Sequence, residues 1–329
     1  MTLQYDAAVL HRPGAALAVE RISAAPLRRS DVLVRVRAAG LCHTDLEVID
    51  GSLRYPMPIL LGHEAAGVVE EVGPAVANVR RGDHVILSWN PHCGHCFYCD
   101  RALPILCADY LAQGPRAVAF DGESKGRLGD GRELKHLMFL GAFGEYCIVQ
   151  EQQAIPVGNE IPFDRACLIG CGVMTGVGAA LNVARIGRAD CVMVIGCGAV
   201  GFSAVQGARL GGAADIIACD IDDEKLKLAA RMGATACVNA KTEDVIALGR
   251  RRTSGHGADV VIEAAGSAAA FRLSVEAARQ DRSRQGRRIS LGRPDAGEKD
   301  QTIELWRCPP RARLPAAGAG LSGGPADAR

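Results

Sequence analysis

The stretch Cys191-Val192-Met193-Val194-Ile195-Gly196-Cys197-Gly198-Ala199-Val200-Gly201, followed at a distance by Asp220, decides how the chain folds. Five apolar residues in a row predict a buried strand. Gly196, Gly198 and Gly201 then stand at G-x-G-x-x-G spacing, and an alanine-rich helix is predicted from about Ala199 to Leu210. The first glycine suits a tight turn, the second a pyrophosphate pressed against the backbone, the third close packing of helix on strand. Free N–H groups at the start of that helix attract phosphate. A second strand, Ile216-Ile217-Ala218-Cys219, ends in Asp220, 19 residues beyond Gly201. A carboxylate at about 20 residues meets the adenosine ribose. Strand, turn, helix and acid in this order predict dinucleotide binding; a glycine turn in some other α/β domain is the alternative.

Outward from this unit the pattern repeats. Ala236-Cys237-Val238-Asn239, Asp259-Val260-Val261-Ile262-Glu263 and Arg288-Ile289-Ser290-Leu291 read as strands, with helices from about Glu243 and about Ala268 between them. Alternation of this kind predicts a parallel sheet with helices on both faces.

The chain before it reads as β-rich. Val32-Leu33-Val34-Arg35-Val36-Arg37 alternates apolar and charged residues, the period of a half-buried strand. Further strands are expected over Gly67–Gly73, after Gly82-Asp83, and over Glu145–Val149. Residues 112–142 hold Gly122, Gly126, Gly129 and Gly131 among charges and read as a surface loop, long enough for a lid or pocket wall.

Composition narrows the function classes. The 329 residues suffice for two domains, and 48% are apolar, enough for a sizeable core. A net charge of +1 gives no electrostatic case for nucleic acid or an anionic membrane. The first residues, Met1 to Asp6, lack a basic n-region, and no uninterrupted apolar run of spanning length is apparent, so a cytoplasmic protein is expected. Thirteen cysteines in such a chain point to metal before disulfides.

Cys93, Cys96, Cys99 and Cys107 stand as C-x2-C-x2-C-x7-C. Four thiolates this close enclose one tetrahedral ion, a structural zinc site; iron–sulfur ligation is the lesser alternative, and His92 or His95 could substitute as ligands. Cys42 and His63 are also of the types zinc takes, although a buried cysteine and a satisfied histidine would explain them equally.

These features together resemble the zinc-dependent medium-chain alcohol dehydrogenases over roughly residues 5–280. Gly62-His63-Glu64-Ala65-Ala66-Gly67 fits the family's zinc signature, the four-cysteine run its structural lobe, Gly170-Cys171-Gly172 the segment of a third catalytic ligand, and the glycine turn with Asp220 its cofactor site. The resemblance implies an α/β protein: a GroES-like catalytic domain over residues 1–172, a Rossmann domain over 173–292, and an atypical tail over 293–329. It implies two zinc ions per chain, a catalytic one on Cys42, His63 and Cys171 and the structural one. Asp45 and Glu64 would support the catalytic ligands, and Thr44 would accept the substrate proton. His43, Thr175, Gly196, Gly198, Val200, Gly201, Asp220 and Lys225 would bind NAD, with Asp220 repelling the extra phosphate of NADP. The implied reaction oxidises an alcohol to an aldehyde or ketone, zinc acting as Lewis acid and NAD accepting hydride. Glu47 stands where the liver-type relay has histidine. A homo-oligomer would be the family's state.

The end of the chain departs from the family. The sixth strand of the nucleotide domain is not evident, and Arg307 to Arg329 is Gly, Ala, Pro and Arg apart from Cys308, Leu314, Leu321, Ser322 and Asp327. Such composition predicts disorder, and an altered C-terminus would weaken dimerisation. Beside an active dehydrogenase, two rivals stand: a zinc-stabilised nucleotide-binding remnant without activity, and a zinc-free quinone reductase of the same superfamily.

Overall fold

The computed structural model describes residues 2–281, 284–285 and 287–290. Expectations for the tail, including disorder from Arg307, and for Leu291 lie outside the described residues.

The first half holds two five-stranded sheets. Strands β1 (Gln4–Leu10), β2 (Ala18–Ala24), β4 (Ile59–Leu60), β7 (Gly126–Arg127) and β8 (Lys135–His136) form one, in the order β7-β2-β1-β4-β8. Strands β3 (Asp31–Ala39), β5 (Ala65–Val72), β6 (His84–Leu87), β9 (Tyr146–Gln150) and β10 (Ala154–Pro156) form the other, ordered β10-β6-β5-β3-β9. Tyr5, Ile22, Leu33, Leu60, Leu134 and Ile148 fill the space between the sheets. The expected alternation in β3 holds only in its second half. Val32, Leu33 and Val34 are all buried, because that end of the strand is covered on both faces.

Helix α2 (Ala108–Gln113) leads into residues 112–142, which are not a surface loop. Ala117, Val118, Ala119, Leu128, Leu134, Leu137 and Phe139 are buried, and β7 and β8 extend the first sheet at both edges. The glycines supply turns between short apolar pieces, and each piece is too short to show a period in the sequence.

The nucleotide half follows the alternation. A parallel sheet runs β13 (Ala236–Asn239), β12 (Asp215–Asp220), β11 (Cys191–Ile195), β14 (Val260–Glu263), β17 (Arg287–Ser290). Helices α5 (Ala199–Leu210), α6 (Asp223–Met232), α7 (Val245–Arg252) and α8 (Ala268–Ala277) connect the strands. Helix α7 begins two residues later than expected because the Asp244 carboxylate accepts from Ala247 N at 2.9 Å and caps it. Apolar layers cover both faces of the sheet, as a buried parallel sheet requires. A short hairpin, β15 (Gln280–Asp281) with β16 (Arg284–Gln285), precedes β17.

One helix joins the two halves. Segments α3 (Phe163–Leu168) and α4 (Met174–Gly178), each followed by a π turn, run unbroken over Phe163–Val183. By length and composition alone this helix would pass for a membrane span, which the sequence reading overlooked because Thr175 and Asn182 interrupt it. Its start packs on β3 and β5 and its continuation on α5. A methyl group on Gly176 would lie 2.3 Å from Val200 O, so the two helices touch through backbone.

Candidate active site

Cys42 precedes α1 (His43–Asp50), a helix not anticipated from the sequence. His63 lies between β4 and β5, and Cys171 sits in the first π turn of the joining helix. Such turns widen a helix locally and recur at functional sites. The three ligand atoms lie within 4.8 Å of one another, with Cys171 Sγ 4.0 Å from Cys42 Sγ. Sulfurs on a tetrahedral ion with about 2.3 Å bonds stand about 3.8 Å apart. Two thiols and an imidazole at this separation fit zinc and leave a fourth position free.

The electrostatics favour a cation. The Cys171 thiol donating to Cys42 holds the Cys42 pKa down at about 4, against the cost of burial. The same shared proton, with burial, pushes Cys171 up. Burial alone would discharge His63, but Asp45 and the Cys42 thiolate outweigh it and raise the ring to about 9. Asp45 is buried, and its Oδ1 lies 3.5 Å from His63 Nδ1. That carboxylate also accepts from Cys42 N at 3.0 Å and Gly62 N at 2.9 Å, so it braces both ligand segments.

Burial raises the pKa of Glu64, whose Oε1 accepts from Gly172 N at 2.9 Å, one residue beyond Cys171. Its other oxygen fills the space above Gly40, where a methyl group would lie only 2.3 Å from Oε2. Gly40 thus admits the carboxylate, a role the sequence reading missed. Thr44 is half-buried in the first turn of α1, beside exposed His43. Glu47, one turn on, is half-buried in the same helix.

The second cysteine set also converges. Cys93, Cys96, Cys99 and Cys107 have sulfurs within 4.8 Å of one another, Cys93 and Cys99 at 4.0 Å. Ala108 N–H donates to Cys96 Sγ at 3.5 Å and lowers its pKa to about 6, and Cys93 N–H donates to Cys107 Sγ at 3.3 Å. His95 and Asp109 gather with Cys93 in a second, exposed grouping.

At the glycine turn, Gly196 takes φ 93° and a methyl group on Gly201 would lie 1.8 Å from Gly196 O. Gly198 caps α5 with no side-chain acceptor, and a methyl group there would meet only open space, the cradle a pyrophosphate needs. Val200 lies half-buried in the first turn of that helix. The Asp220 carboxylate accepts from Cys197 N at 2.6 Å, Ile221 N at 2.7 Å and Asp222 N at 3.0 Å. Lys225 is exposed in the first turn of α6, and Thr175 is half-buried on the joining helix. The loop Ala264-Ala265-Gly266 lies against Gly196 and was missed. Its signal was an acid at a strand end: Glu263 accepts from Ala265 N and Gly266 N at 2.8 Å each, much as Asp220 does.

An aromatic row begins at the strand end that His63 precedes. Ala65 pairs with Leu87, so His63, two residues before, and Trp89, two residues after, both leave this end of the β5–β6 pair. Ring centroids run Trp89–Tyr110 6.3 Å, Tyr110–Phe139 5.1 Å and Phe139–Phe120 5.7 Å.

Residues 28–159 match the alcohol dehydrogenase GroES-like domain and residues 199–305 the zinc-binding dehydrogenase family. The chain is 36% identical over 302 residues to the S-(hydroxymethyl)glutathione dehydrogenase of Saccharomyces cerevisiae, covering 90% of this chain and 77% of that protein. Its fold is similar to an alcohol dehydrogenase zinc-binding domain protein from Burkholderia ambifaria, at TM-score 0.84 and 38% identity, over 91% of this chain and 80% of that one. It is also similar to benzyl alcohol dehydrogenase from Acinetobacter calcoaceticus, at TM-score 0.80 and 31% identity with the same coverages. The chain belongs to the zinc-dependent medium-chain alcohol dehydrogenases. It is a zinc-dependent, NAD-linked oxidoreductase of alcohols.

Proposed function

We propose that the chain oxidises primary benzylic alcohols with NAD in the cytoplasm. One observation carries the reading: Cys42, His63 and Cys171 converge within 4.8 Å, with His63 at the strand end where the Trp89–Tyr110–Phe139 row begins. They would hold a catalytic zinc ion, while Cys93, Cys96, Cys99 and Cys107 would hold a structural one, giving two per chain. Bound there, zinc supplies Lewis-acid stabilisation of negative charge on oxygen. Asp45 and Glu64 keep the ligand segments in place. Thr44 accepts the substrate proton, and His43 contacts the cofactor pyrophosphate. Gly196, Gly198, Val200 and Gly201 cradle the pyrophosphate, Asp220 and Lys225 hold the adenosine ribose, and Thr175 lies by the nicotinamide. Residues 1–172 act as the catalytic domain and 173–292 as the nucleotide domain, in a homo-oligomer. The yeast relative's name makes S-(hydroxymethyl)glutathione the second substrate to test.

Purified protein should carry about two zinc ions per chain and reduce NAD with benzyl alcohol. Elemental analysis and absorbance of NADH are the measurements. Zinc-free protein that folds fully would overturn the metal assignment, and NADH formed only with the glutathione adduct would overturn the substrate.

Asp220→Ala should raise KM for NAD about tenfold or more, the loss of a charge-assisted hydrogen bond, and narrow the preference over NADP. The turn should loosen too, since three backbone N–H groups lose their acceptor. Wild-type protein preferring NADP in a steady-state comparison would show Asp220 to be wrongly assigned.

A further inference from the structure

The buried ammonium of Lys125 has no part in the metal or nucleotide sites. Its side chain is 3% exposed. Its Nζ donates to both carboxylate oxygens of Asp31, at 3.0 and 2.8 Å, and to Asp121 Oδ2 at 2.6 Å. Arg28 reaches Asp121 at 3.6 Å and Glu123 at 3.3 Å from the solvent side. A buried charge persists only when its hydrogen bonds are met, and here two carboxylates meet them. Asp31 begins β3, whereas Asp121 and Lys125 belong to the 112–142 segment. The triad therefore ties that segment to β3.

The tie leads to the aromatic row by two routes. Phe120 adjoins Asp121 and meets Phe139 edge-on at 5.7 Å. In the second route, Lys125 N–H donates to His136 Nε2 at 3.1 Å. Burial, with the Lys125 charge, lowers the pKa of His136 to about 4 and keeps the ring a neutral acceptor. Two residues on, Met138 and Phe139 take φ 49° and 63°. Bulky residues adopt this left-handed region at a cost that surrounding structure must offset. On the far side, Phe143 N and Ala142 N donate to the Leu61 and Gly62 carbonyls at 2.9 Å each, next to His63. The strained pair is clamped between the Lys125 triad and the segment that carries His63.

We propose that Lys125 is a positioning residue for substrate. By holding Asp31 and Asp121 together it fixes Phe139 and its aromatic neighbours, and so sets the selectivity for benzylic over short aliphatic alcohols. The proposal rests on the reading of Cys42, His63 and Cys171 as the alcohol site.

The test compares zinc-loaded wild type, Lys125→Met and Lys125→Arg, each also carrying Trp306→Phe, which leaves Trp89 as the sole tryptophan. In Lys125→Met, kcat/KM for benzyl alcohol should fall about tenfold, mainly through KM, as small displacements of positioning groups do. Turnover of ethanol, KM for NAD and zinc content should hold, and Trp89 emission should move to the red as its ring neighbours loosen. Lys125→Arg keeps the charge and should restore the benzyl alcohol value to within about threefold. A folded Lys125→Met with an unchanged benzyl-to-ethanol ratio and unchanged Trp89 emission would overturn the proposal, as would equal losses for both alcohols and NAD. Should Lys125→Met not fold, Asp121→Asn keeps the Lys125–Asp31 pair and is judged by the same readouts. Wild type that oxidises no alcohol would count against the alcohol-site reading instead, and the Trp89 emission of Lys125→Met would still decide the positioning role.

Discussion

Cys171→Ser should lower kcat/KM for alcohol about a thousandfold while leaving NADH affinity within about twofold of wild type. The expectation follows from the separation of the two sites along one helix. Cys171 lies in the π turn, and the helix presses most closely on α5 further on, at Gly176. Serine is nearly isosteric, so the helix should keep its course and only the donor set should fail. Lewis-acid stabilisation worth several kcal/mol is then lost, and each 1.36 kcal/mol is a tenfold change in rate. Steady-state kinetics and quenching of NADH fluorescence separate the two effects. Undiminished turnover would remove Cys171 from the ligand set, and loss of NADH binding in parallel would mean that the substitution had disturbed the helix.

Cys107→Ser should cost the other ion and with it the lobe. Cys107 is fully buried while Cys93, Cys96 and Cys99 are partly exposed, so it is the inner anchor of the cluster. Around it Phe97, Leu103, Ile105, Leu106 and Leu111 are exposed, which leaves the lobe little apolar burial of its own. Metal binding must supply the ordering that a core would otherwise give, as in other small metal-held modules. Zinc content should fall from about two to about one ion per chain. A destabilisation of several kcal/mol in a protein of this size corresponds to a Tm lower by about 5 °C. Elemental analysis with differential scanning calorimetry checks both, and two ions per chain at an unchanged Tm would sink the assignment.

The nucleotide half was legible because its signals are local. Residues of β11, the glycine turn and α5 are contiguous, and their order alone specifies strand, turn and helix. The cysteine lobe was legible for the same reason, four ligands falling within 15 residues from Cys93 to Cys107. Cys42, His63 and Cys171 are far apart in the chain, so spacing could not unite them, and only the family resemblance did. What stayed hidden depends on contacts across the chain. Gly40 matters because Glu64 folds over it, and nothing in its own neighbourhood says so. Lys125 reads as one more charge in a polar stretch, yet it is buried because Asp31, 94 residues earlier, waits for it. The 112–142 segment misled for the complementary reason: its apolar residues come in pieces such as Ala117–Phe120 and Leu137–Leu140, set among glycines and charges and too short to show a period.

The unbroken helix Phe163–Val183 bears on how this protein could be recombined with others. A splice at residue 172, where the two halves part by sequence, would cut one residue past Cys171 and inside a π turn. The helix also has two allegiances. Its first turns lie on β3 and β5, whereas the Val200 carbonyl packs against Gly176, and Val177 and Ala180 crowd against Gly207 of the neighbouring helix. Those fits are steric and pairwise, so a foreign nucleotide half with a larger residue at the Gly207 position would be rejected however well its cofactor turn matched. The heritable module is therefore the sheet with its helices together with the small-residue face that receives this one, and a workable joint falls beyond Val183.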